Sequence, residues 1–466
     1  MNSSAPPLTV ALLTYNRLHY FKESIAAILN QSYTYFELLV LDNCSTDGTG
    51  EFVLSLKDPR IRYIRNSSNI STVQFNCLSA YHIALGRRVI VTHDDDIMES
   101  HMLERQMNFL DCNPDVRLVW TRVSDIDQDG KPIADSLLTN GSDRIFAPGE
   151  YITSFLRERL WPMPSGMMLE RAVLPKMYSV HAHFRTKAAV KNPMDRAGIA
   201  DVLLPARINR KNTIGYIDQP LLRRRVHTDQ FSHAASLSRP GVYLYRRLKR
   251  AAADIPGFQS QALHFDTFVA RFDIQEAITT NEKEVIKKST MDKIRAITTK
   301  LKKNLESSPE AFLAGLPIFI LDSLIAPGGQ VDKLNTLQAD THDIATRKLL
   351  SWAQKTTSVS HSSIFQSLEG RRIIIFGSAF IAALLIIEAR NKNVLIVACI
   401  DSNVNRHGKK LLGIPIQSPA WMRDHVEPKD IIIISSERDH EHYIEAIIRQ
   451  SLPRQEVIMT WKSLIE

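Results

Sequence analysis

The first hundred residues repeat one pattern, in which a short apolar segment is followed by a stretch with helical periodicity. The apolar segments are typical of buried strands, and residues 18–30 place Phe21, Ile25 and Ile28 on one helical face. Strands that alternate with helices favour an α/β domain with a mixed, mostly parallel sheet. The predicted strands are "LTVALLT" (8–14), "FELLVLD" (36–42), "IRYIR" (61–65) and "RVIVT" (88–92).

Acidic residues follow two of these strands directly. Asp42 ends the second strand, and Asp94, Asp95 and Asp96 follow the fourth. Parallel sheets bind ligands at the carboxyl ends of their strands, so these carboxylates should converge at one edge. Because neighbouring carboxylates repel one another, three in a row after a buried strand indicate a cation site. The alternative is a solvated acidic loop.

The composition limits the class of protein. At 466 residues, 44% of them hydrophobic, the chain is long enough for two or three globular domains. Its net charge of +8 suits an anionic partner, but no zinc-finger or ribonucleoprotein motif points to nucleic acid. The four cysteines lack paired spacing and are expected to be reduced. The start of the chain lacks a secretory pattern, and the apolar stretch 312–326 is shorter than the roughly 20 residues of a spanning helix, so we expect a cytoplasmic protein.

The pattern changes twice after the first domain. A helical stretch carries Ile294, Ile297 and Leu301 on one face, and strand signals resume with "RRIIIFG" from residue 371. Loop signals occur at "APGGQ" (326–330) and "KTTSVSHSS" (355–363). We therefore expect an α/β domain over residues 1–240, a helical linker region over 241–365 and a small Rossmann-like α/β domain over 366–466.

Four motifs in residues 8–110 resemble the inverting family 2 glycosyltransferases of the GT-A fold. They are "LLTYNR", "QSYTYFELLVLDNCSTDGT", "NSSNISTVQFNCLSAYHIALG" and "VTHDDDIM". The resemblance implies a nucleotide-sugar donor and Mn²⁺ or Mg²⁺, which prefer oxygen ligands. It implies a metal site at Asp95, Asp96 and His227, and donor contacts at Thr14, Tyr15, Asn16, Arg17, Asp42, Asn76 and Asp94.

The register of the acidic triplet stays open. The family commonly has Asp-x-Asp-Asp, which puts His93 at its first aspartate, Asp94 near the ribose and either Asp95 or Asp96 on the metal. Asp42 matches an aspartate that contacts the nucleotide base, although Asn43 replaces the acid that usually follows.

Two donor-site residues have other readings. Asn16 could instead be the N-cap of the helix that follows. His227 matches a histidine that approaches the metal or the diphosphate, and Arg223–Arg225 beside it suggest an anion-facing segment.

The acceptor half is marked by "GIADVLLPARINRKNTIGYIDQPLLRRRVH" at residues 198–227, which resembles the closing segment of the family. By that resemblance Asp201 is the general base that removes the proton of the acceptor hydroxyl. Asp195 is a competing candidate, and Asp201 could instead cap a helix. Trp161 and Ser165 in "WPMPSGMM" are expected to border the acceptor, although Trp161 could also be a core residue.

The C-terminal part resembles small Rossmann-like modules attached to sugar-modifying enzymes. Of the glycines in a dinucleotide fingerprint only Gly377 is present, with Ala379 and Ala382 at the other two places and Asp401 after the next strand. Nucleotide binding and a structural or partner-binding role both remain open.

The sequence therefore predicts a metal-dependent inverting glycosyltransferase that acts on a surface glycan or a lipid-linked glycan. A catalytically inactive nucleotide- or glycan-binding regulator is the alternative, and a nucleotidyltransferase is disfavoured because "LLTYNRLHYF" has no glycine-rich phosphate loop. The basic-aromatic segment "SRPGVYLYRRLKR" (238–250) suggests peripheral association with a membrane.

Overall fold

The computed structural model divides into two compact units, Met1–Phe258 and Gln259–Glu466. Apart from a few isolated positions, the residues that it describes are 5–69, 79–135, 141–158, 160–174, 200–227, 258–281, 283–326, 343–357, 363–377, 379–392, 394–401, 406–436, 441–453 and 457–465. No helix in these ranges is long and apolar enough to cross a membrane. Most of the basic-aromatic segment 238–250 lies outside them.

The first unit is built on a ten-stranded sheet, whose main path has the order β3-β2-β1-β4-β9-β6-β10-β5. Its strands are β1 (Leu8–Thr14), β2 (Phe36–Asp42), β3 (Ile61–Arg65), β4 (Arg88–His93), β5 (Ile97–Met98), β6 (Val116–Ile126), β7 (Pro132–Asp135), β8 (Arg144–Phe146), β9 (Met167–Glu170) and β10 (Thr213–Arg225). The helices are α1 (Leu18–Leu29), α2 (Thr49–Ser55), α3 (Met102–Cys112), α4 (Glu150–Glu158) and α5 (Ala200–Asn209).

The sheet is mixed and mostly parallel in its first half, as expected. Strand β1 lies between β2 and β4 and runs parallel to both, and β2 is parallel to β3. Strand β9 is antiparallel to both β4 and β6, and β10 is parallel to β6. The register pairs Thr14 with Asp42, and Leu13 with His93. The carboxyl ends of β1, β2 and β4 therefore meet at one edge.

The sequence pattern explains why this half folds as it does. Strands β1 and β2 are buried along their whole length, which requires a near-continuous apolar run. Helix α1 covers them with Phe21, Ile25 and Ile28, the face that the periodicity predicts. Burial of this face fixes the start of α1 beside the carboxyl end of β1.

The second unit contains a six-stranded sheet with the order β13-β14-β12-β11-β15-β16, parallel except between β13 and β14. Its strands are β11 (Arg372–Phe376), β12 (Leu395–Ile400), β13 (Lys410–Leu411), β14 (Ile414–Gln417), β15 (Ile431–Ile434) and β16 (Val457–Thr460). The helices are α6 (Phe258–Thr279), α7 (Lys288–Lys303), α8 (Pro309–Ile325), α9 (Ile344–Thr357), α10 (Phe380–Asn391), α11 (Met422–His425) and α12 (Glu441–Ser451). The expected second α/β sheet is confirmed.

The helices before this sheet share its core. One hydrophobic cluster joins Ile294 of α7, Phe319 of α8 and Trp352 of α9 to Ile373 of β11 and Leu384 of α10. The buried carboxylate of Glu388 in α10 strengthens the connection. It accepts hydrogen bonds from the indole Nε1 of Trp352, from Ser363 Oγ at 3.0 Å and from the Ile364 amide at 3.0 Å. A cut near residue 365 would divide this core. The three-domain division stays a prediction.

Two residues of the C-terminal fingerprint, Gly377 and Asp401, have structural roles within this unit. Gly377 has a positive φ of 116°, and a Cβ there would lie 2.4 Å from Ser435 Oγ, so glycine is required. Asp401 forms an ion pair with Arg406 at 3.2 Å.

Candidate acidic site at the sheet edge

The three consecutive aspartates after β4 are buried, and each has hydrogen-bond or ion-pair partners from other parts of the first unit. Asp94 accepts a hydrogen bond from the Tyr15 amide at 3.2 Å, and its other oxygen lies 3.3 Å from Arg17 Nη1. The loop between β1 and α1 therefore closes over the end of β4. Of the predicted donor residues, Tyr15 and Arg17 both contact Asp94 here, and Thr14 precedes Tyr15 at the end of β1.

Asp95 lies between a guanidinium and an imidazole. Its Oδ2 is 3.0 Å from Arg17 Nη1 and 3.1 Å from His227 Nε2, although His227 is 132 residues away in sequence. Strand β10 carries the chain back to this edge, and the ring of Tyr20 in α1 packs on His227 with centroids 4.8 Å apart. The structure thus brings two of the predicted metal ligands, Asp95 and His227, into contact.

The side-chain partner of Asp96 is a residue that contacts neither Asp94 nor Asp95. It accepts a hydrogen bond from the hydroxyl of buried Ser165, which also lies 3.3 Å from His93 Nδ1. Ser165 belongs to the short turn at residues 164–166 that precedes β9. The serine predicted to border the acceptor is therefore a direct partner of the acidic cluster; its acceptor role stays a prediction.

The three carboxyls have different pKa values because burial, neighbouring charges and hydrogen bonds act on each to a different extent. Burial raises the pKa of Asp94 to about 6 and that of Asp96 to about 7, and the charge of Asp95 adds to both shifts. Burial also acts to raise the pKa of Asp95, but the hydrogen bond from His227 and the charges of His93 and Arg17 hold it below the ordinary value. Of the three carboxyls, Asp95 therefore holds a negative charge most readily near neutral pH.

The donor atoms suit a divalent cation that arrives with phosphate. No group of three or more His, Cys, Asp or Glu side chains with metal-binding geometry occurs in the part of the chain that the structure describes. Mg²⁺ is commonly held by one or two carboxylates together with substrate phosphates, and carboxylate oxygen also suits Mn²⁺. The Asp95 carboxylate and the His227 imidazole fit this partial ligand set, but not a cation held by protein alone.

The loop that starts α1 is held by residues around α2. Asn16 adopts a left-handed φ of 50°, and its side-chain oxygen accepts a hydrogen bond from the Thr46 amide at 2.8 Å. The first amide of α1, that of Leu18, instead donates to Asp47 Oδ2 at 2.8 Å. The reading of Asn16 as the N-cap of α1 is therefore wrong, because Asp47 caps the helix from outside it.

Asp42 is fully buried at the end of β2, and both of its oxygens have partners. Oδ1 accepts a hydrogen bond from the Ser45 amide at 2.8 Å, and Oδ2 accepts one from the Tyr63 hydroxyl at 2.6 Å. Arg65 Nε lies 3.5 Å from the same Oδ2. Burial and the hydrogen bond to Asp42 raise the pKa of Tyr63, so the phenol stays protonated. The predicted contact of Asp42 with a nucleotide base stays a prediction.

The three arginines before His227 form ion pairs inside the protein. Arg223 pairs with Glu99 at 2.9 Å, Arg224 with Asp125 at 2.7 Å and Arg225 with Glu23 at 2.7 Å. Buried Arg225 also lies over the Tyr20 ring, 4.7 Å from its centroid. The expectation that Arg223–Arg225 face an anion is not supported, since these side chains anchor β10 to its neighbours.

The remaining predicted residues are only partly described. Asn76 and the competing Asp195 lie outside the described residues, and Asp201 lies in the first turn of α5, where its role as general base stays a prediction. Trp161 is 39% exposed and packs on Phe155 with centroids 5.7 Å apart, so it is not a core residue.

Sequence reasoning missed two features of this site, the contact of Ser165 with Asp96 and the position of Arg17 between two aspartates. No local pattern marks either one. Both depend on strands or loops that meet only in the folded sheet.

Comparison with known proteins identifies the region at residues 9–172. Residues 9–172 match the family model described as Glycosyl transferase family 2. An uncharacterized glycosyltransferase of Methanocaldococcus jannaschii is 31% identical over 176 residues, which cover 37% of this chain and 58% of that protein. The UDP-Glc:alpha-D-GlcNAc-diphosphoundecaprenol beta-1,3-glucosyltransferase WfgD of Escherichia coli is 31% identical over 103 residues, 22% of this chain and 40% of that enzyme. The chain thus spans about half the length of these curated relatives.

Two solved structures resemble a larger part of the chain at low sequence identity. TarS 1-349 of S. aureus in complex with UDP is 15% identical, with a TM-score of 0.40 over 76% of this chain and 88% of that one. The mannosyltransferase PcManGT from Pyrobaculum calidifontis in complex with GDP-Man and Mn2+ is 16% identical, with a TM-score of 0.38 over 79% and 89%.

The family match spans β1 to β9 and the whole acidic triplet, the same region in which the four sequence motifs lie. The predicted resemblance is confirmed, and the chain carries a glycosyltransferase family 2 domain across residues 9–172.

Proposed function

We propose that this protein is a metal-dependent, inverting glycosyltransferase that moves a sugar from a nucleotide-sugar to a hydroxyl of a glycan. The observation that carries the proposal is the acidic cluster at the carboxyl ends of β1 and β4, inside the family 2 domain. There Arg17 Nη1 lies 3.3 Å from Asp94 and 3.0 Å from Asp95, and His227 Nε2 lies 3.1 Å from Asp95. Such a cluster suits a diphosphate and its cation.

Each side chain has a distinct part in this proposal. Asp95 and His227 would hold Mn²⁺ or Mg²⁺ together with the donor's diphosphate, and the bound metal would offset the negative charge of the leaving group. Asp94 binds the Tyr15 amide and so positions the loop that borders the donor. Ser165 fixes the orientation of Asp96. Tyr20 packs on His227 and keeps its ring beside Asp95.

The proton of the acceptor hydroxyl must leave as the new glycosidic bond forms. We assign its removal to Asp201, on the resemblance of residues 198–227 to the closing segment of the family. The hydroxyl oxygen attacks the anomeric carbon, the bond from that carbon to the diphosphate oxygen breaks, and the carboxylate takes the proton. Attack from the face opposite the leaving group inverts the configuration. We also propose that the acceptor lies beside Trp161 and Ser165.

The acceptor that we propose is a growing surface glycan or a lipid-linked glycan. The named activity of the Escherichia coli relative, which acts on a sugar linked to diphosphoundecaprenol, supports this substrate class. An acceptor of that kind would bring the protein to the cytoplasmic face of a membrane as a peripheral protein.

Donor hydrolysis by purified protein tests the proposal directly. A panel of UDP- and GDP-sugars is incubated with Mn²⁺ or with excess EDTA, and the released nucleotide diphosphate is measured. Wild-type protein should hydrolyse at least one donor only with metal, and Asp95→Asn should abolish turnover. Asp58→Asn is the matched control, because Asp58 pairs with Arg60 at 2.8 Å outside the acidic cluster. Full activity of Asp95→Asn, or in EDTA, would contradict the metal assignment.

A binding protein without catalysis is the second candidate, because two acids that are usual in the family are replaced. Asn43 follows Asp42 in place of a second acid, and Ala200 precedes Asp201 in place of a Glu. A protein of this kind would bind a nucleotide-sugar, detected as thermal stabilisation by mass action, and would release no product with any acceptor or with water.

A further inference from the structure

Arg17 occupies the place in the acidic cluster where a cation is expected. Its Nη1 lies 3.0 Å from Asp95 Oδ2 and 3.3 Å from Asp94 Oδ1. The same Asp95 oxygen lies 3.1 Å from His227 Nε2. The oxygen best placed to bind a metal therefore already faces two nitrogen donors.

The Arg17 guanidinium and a divalent cation cannot bind Asp95 Oδ2 at the same time. Mg²⁺ binds oxygen ligands at about 2.1 Å, and two cations at such short range repel strongly. Because arginine side chains in proteins are permanently cationic, only a movement of Arg17 can free the oxygen. The Arg17 side chain is 26% exposed and immediately precedes α1, so it can turn toward solvent while α1 stays in place.

We propose that Arg17 is an internal counter-ion that hinders binding of free metal until the diphosphate of the donor draws it away. This inference rests on the proposed function. Arginine pairs with phosphate oxygens through two parallel hydrogen bonds, so an arriving diphosphate offers the guanidinium a strong alternative partner. Once Arg17 moves to the diphosphate, Asp95 can bind the metal. Donor and metal then strengthen one another's binding by the same factor, as linkage requires.

The first test measures binding of Mn²⁺ alone to metal-free protein by electron paramagnetic resonance of the free ion. Arg17→Gln should bind Mn²⁺ on the order of tenfold more tightly than wild type, because the competing charge is gone. Arg60→Gln is the matched control, since Arg60 also pairs with an aspartate, has a side chain that is 24% exposed and loses the same charge. It should bind Mn²⁺ like wild type. Adding Asp95→Asn to Arg17→Gln should remove the gained affinity.

The second test measures binding of UDP and of GDP in EDTA by titration calorimetry. Whichever diphosphate binds wild type should bind Arg17→Gln more weakly, because the guanidinium partner of the phosphates is missing. Arg17→Ala replaces Arg17→Gln in both tests if the glutamine variant does not fold.

Equal or weaker Mn²⁺ binding by the folded Arg17 variant overturns the counter-ion role, even if wild type hydrolyses donor. Tighter Mn²⁺ binding with no hydrolysis of any donor by wild type supports the competition at Asp95 and counts against the proposed enzyme. The two failures are therefore distinguishable.

Discussion

Replacing Ser165 with alanine should make the metal-free protein more sensitive to alkaline pH. The Ser165 hydroxyl donates to Asp96, both side chains are buried, and this hydrogen bond opposes the burial that raises the pKa of Asp96 to about 7. A hydrogen bond to a charged group contributes about 1.5 kcal/mol, and one pKa unit corresponds to about 1.4 kcal/mol. Loss of the hydroxyl should therefore raise the pKa of Asp96 by about one unit.

The sign of the effect on stability follows from linkage. The folded pKa of Asp96 lies above the ordinary value of 3.8, so the folded state keeps a proton that the unfolded state releases. This stabilising contribution is present at low pH and is lost as the pH rises through the folded pKa. A further increase in that pKa extends the loss to higher pH. The destabilisation caused by Ser165→Ala should be about 1.4 kcal/mol larger at pH 9 than at pH 5.

Hydrogen-exchange mass spectrometry of peptides that span β4, in EDTA, measures this local free energy of opening at both pH values. Ser154→Ala is the matched control, because Ser154 is also fully buried and its hydroxyl has no hydrogen-bond partner among the residues that the structure describes. Its effect should not depend on pH. A Ser165→Ala effect that is equal at the two pH values, or larger at pH 5, would refute the assignment of Ser165 as the donor to ionised Asp96.

Three further predictions concern other parts of the structure. His227→Gln should weaken donor-dependent Mn²⁺ binding at least about tenfold, measured by electron paramagnetic resonance, because Asp95 loses the neighbouring metal ligand. Gly86→Ala should destabilise the first unit by about 3 kcal/mol in thermal unfolding, because its Cβ would lie 2.5 Å from the backbone of Leu8 and Thr9, which cannot move aside. Glu388→Ala should cost about 3 kcal/mol, seen as a lower unfolding temperature of the second unit, since three buried donors lose their acceptor; Glu388→Gln should be milder.

The elements that sequence predicted well are those with local causes. Strands β1, β2 and β3 have the predicted bounds, and α1 buries the face that its periodicity marks. The common edge at which β2 and β4 end, on either side of β1, follows from the parallel order alone. These predictions needed only the side-chain period and the rule for parallel sheets.

The parts that sequence could not predict depend on contacts between distant segments. Asp47 caps α1 from 29 residues away and so takes the role that Asn16 could have had. Ser165 reaches Asp96 across 69 residues, because β9 inserts antiparallel between β4 and β6. The arginines before His227 suggested an anion site, but their carboxylate partners belong to other elements and are invisible in a local pattern.

Three residues at the start of α1 and just before it hold one side of the acidic site. Arg17, Tyr20 and Glu23 are spaced three residues apart and contact, in turn, the aspartates, His227 and Arg225. Inserting one residue between Arg17 and Glu23 would turn the later positions by about 100° and break these contacts together. Evolution should therefore tolerate substitutions on the outer face of α1 but hold its length constant. A scan of single-residue insertions through the first unit should show a sharp minimum in function at the start of α1.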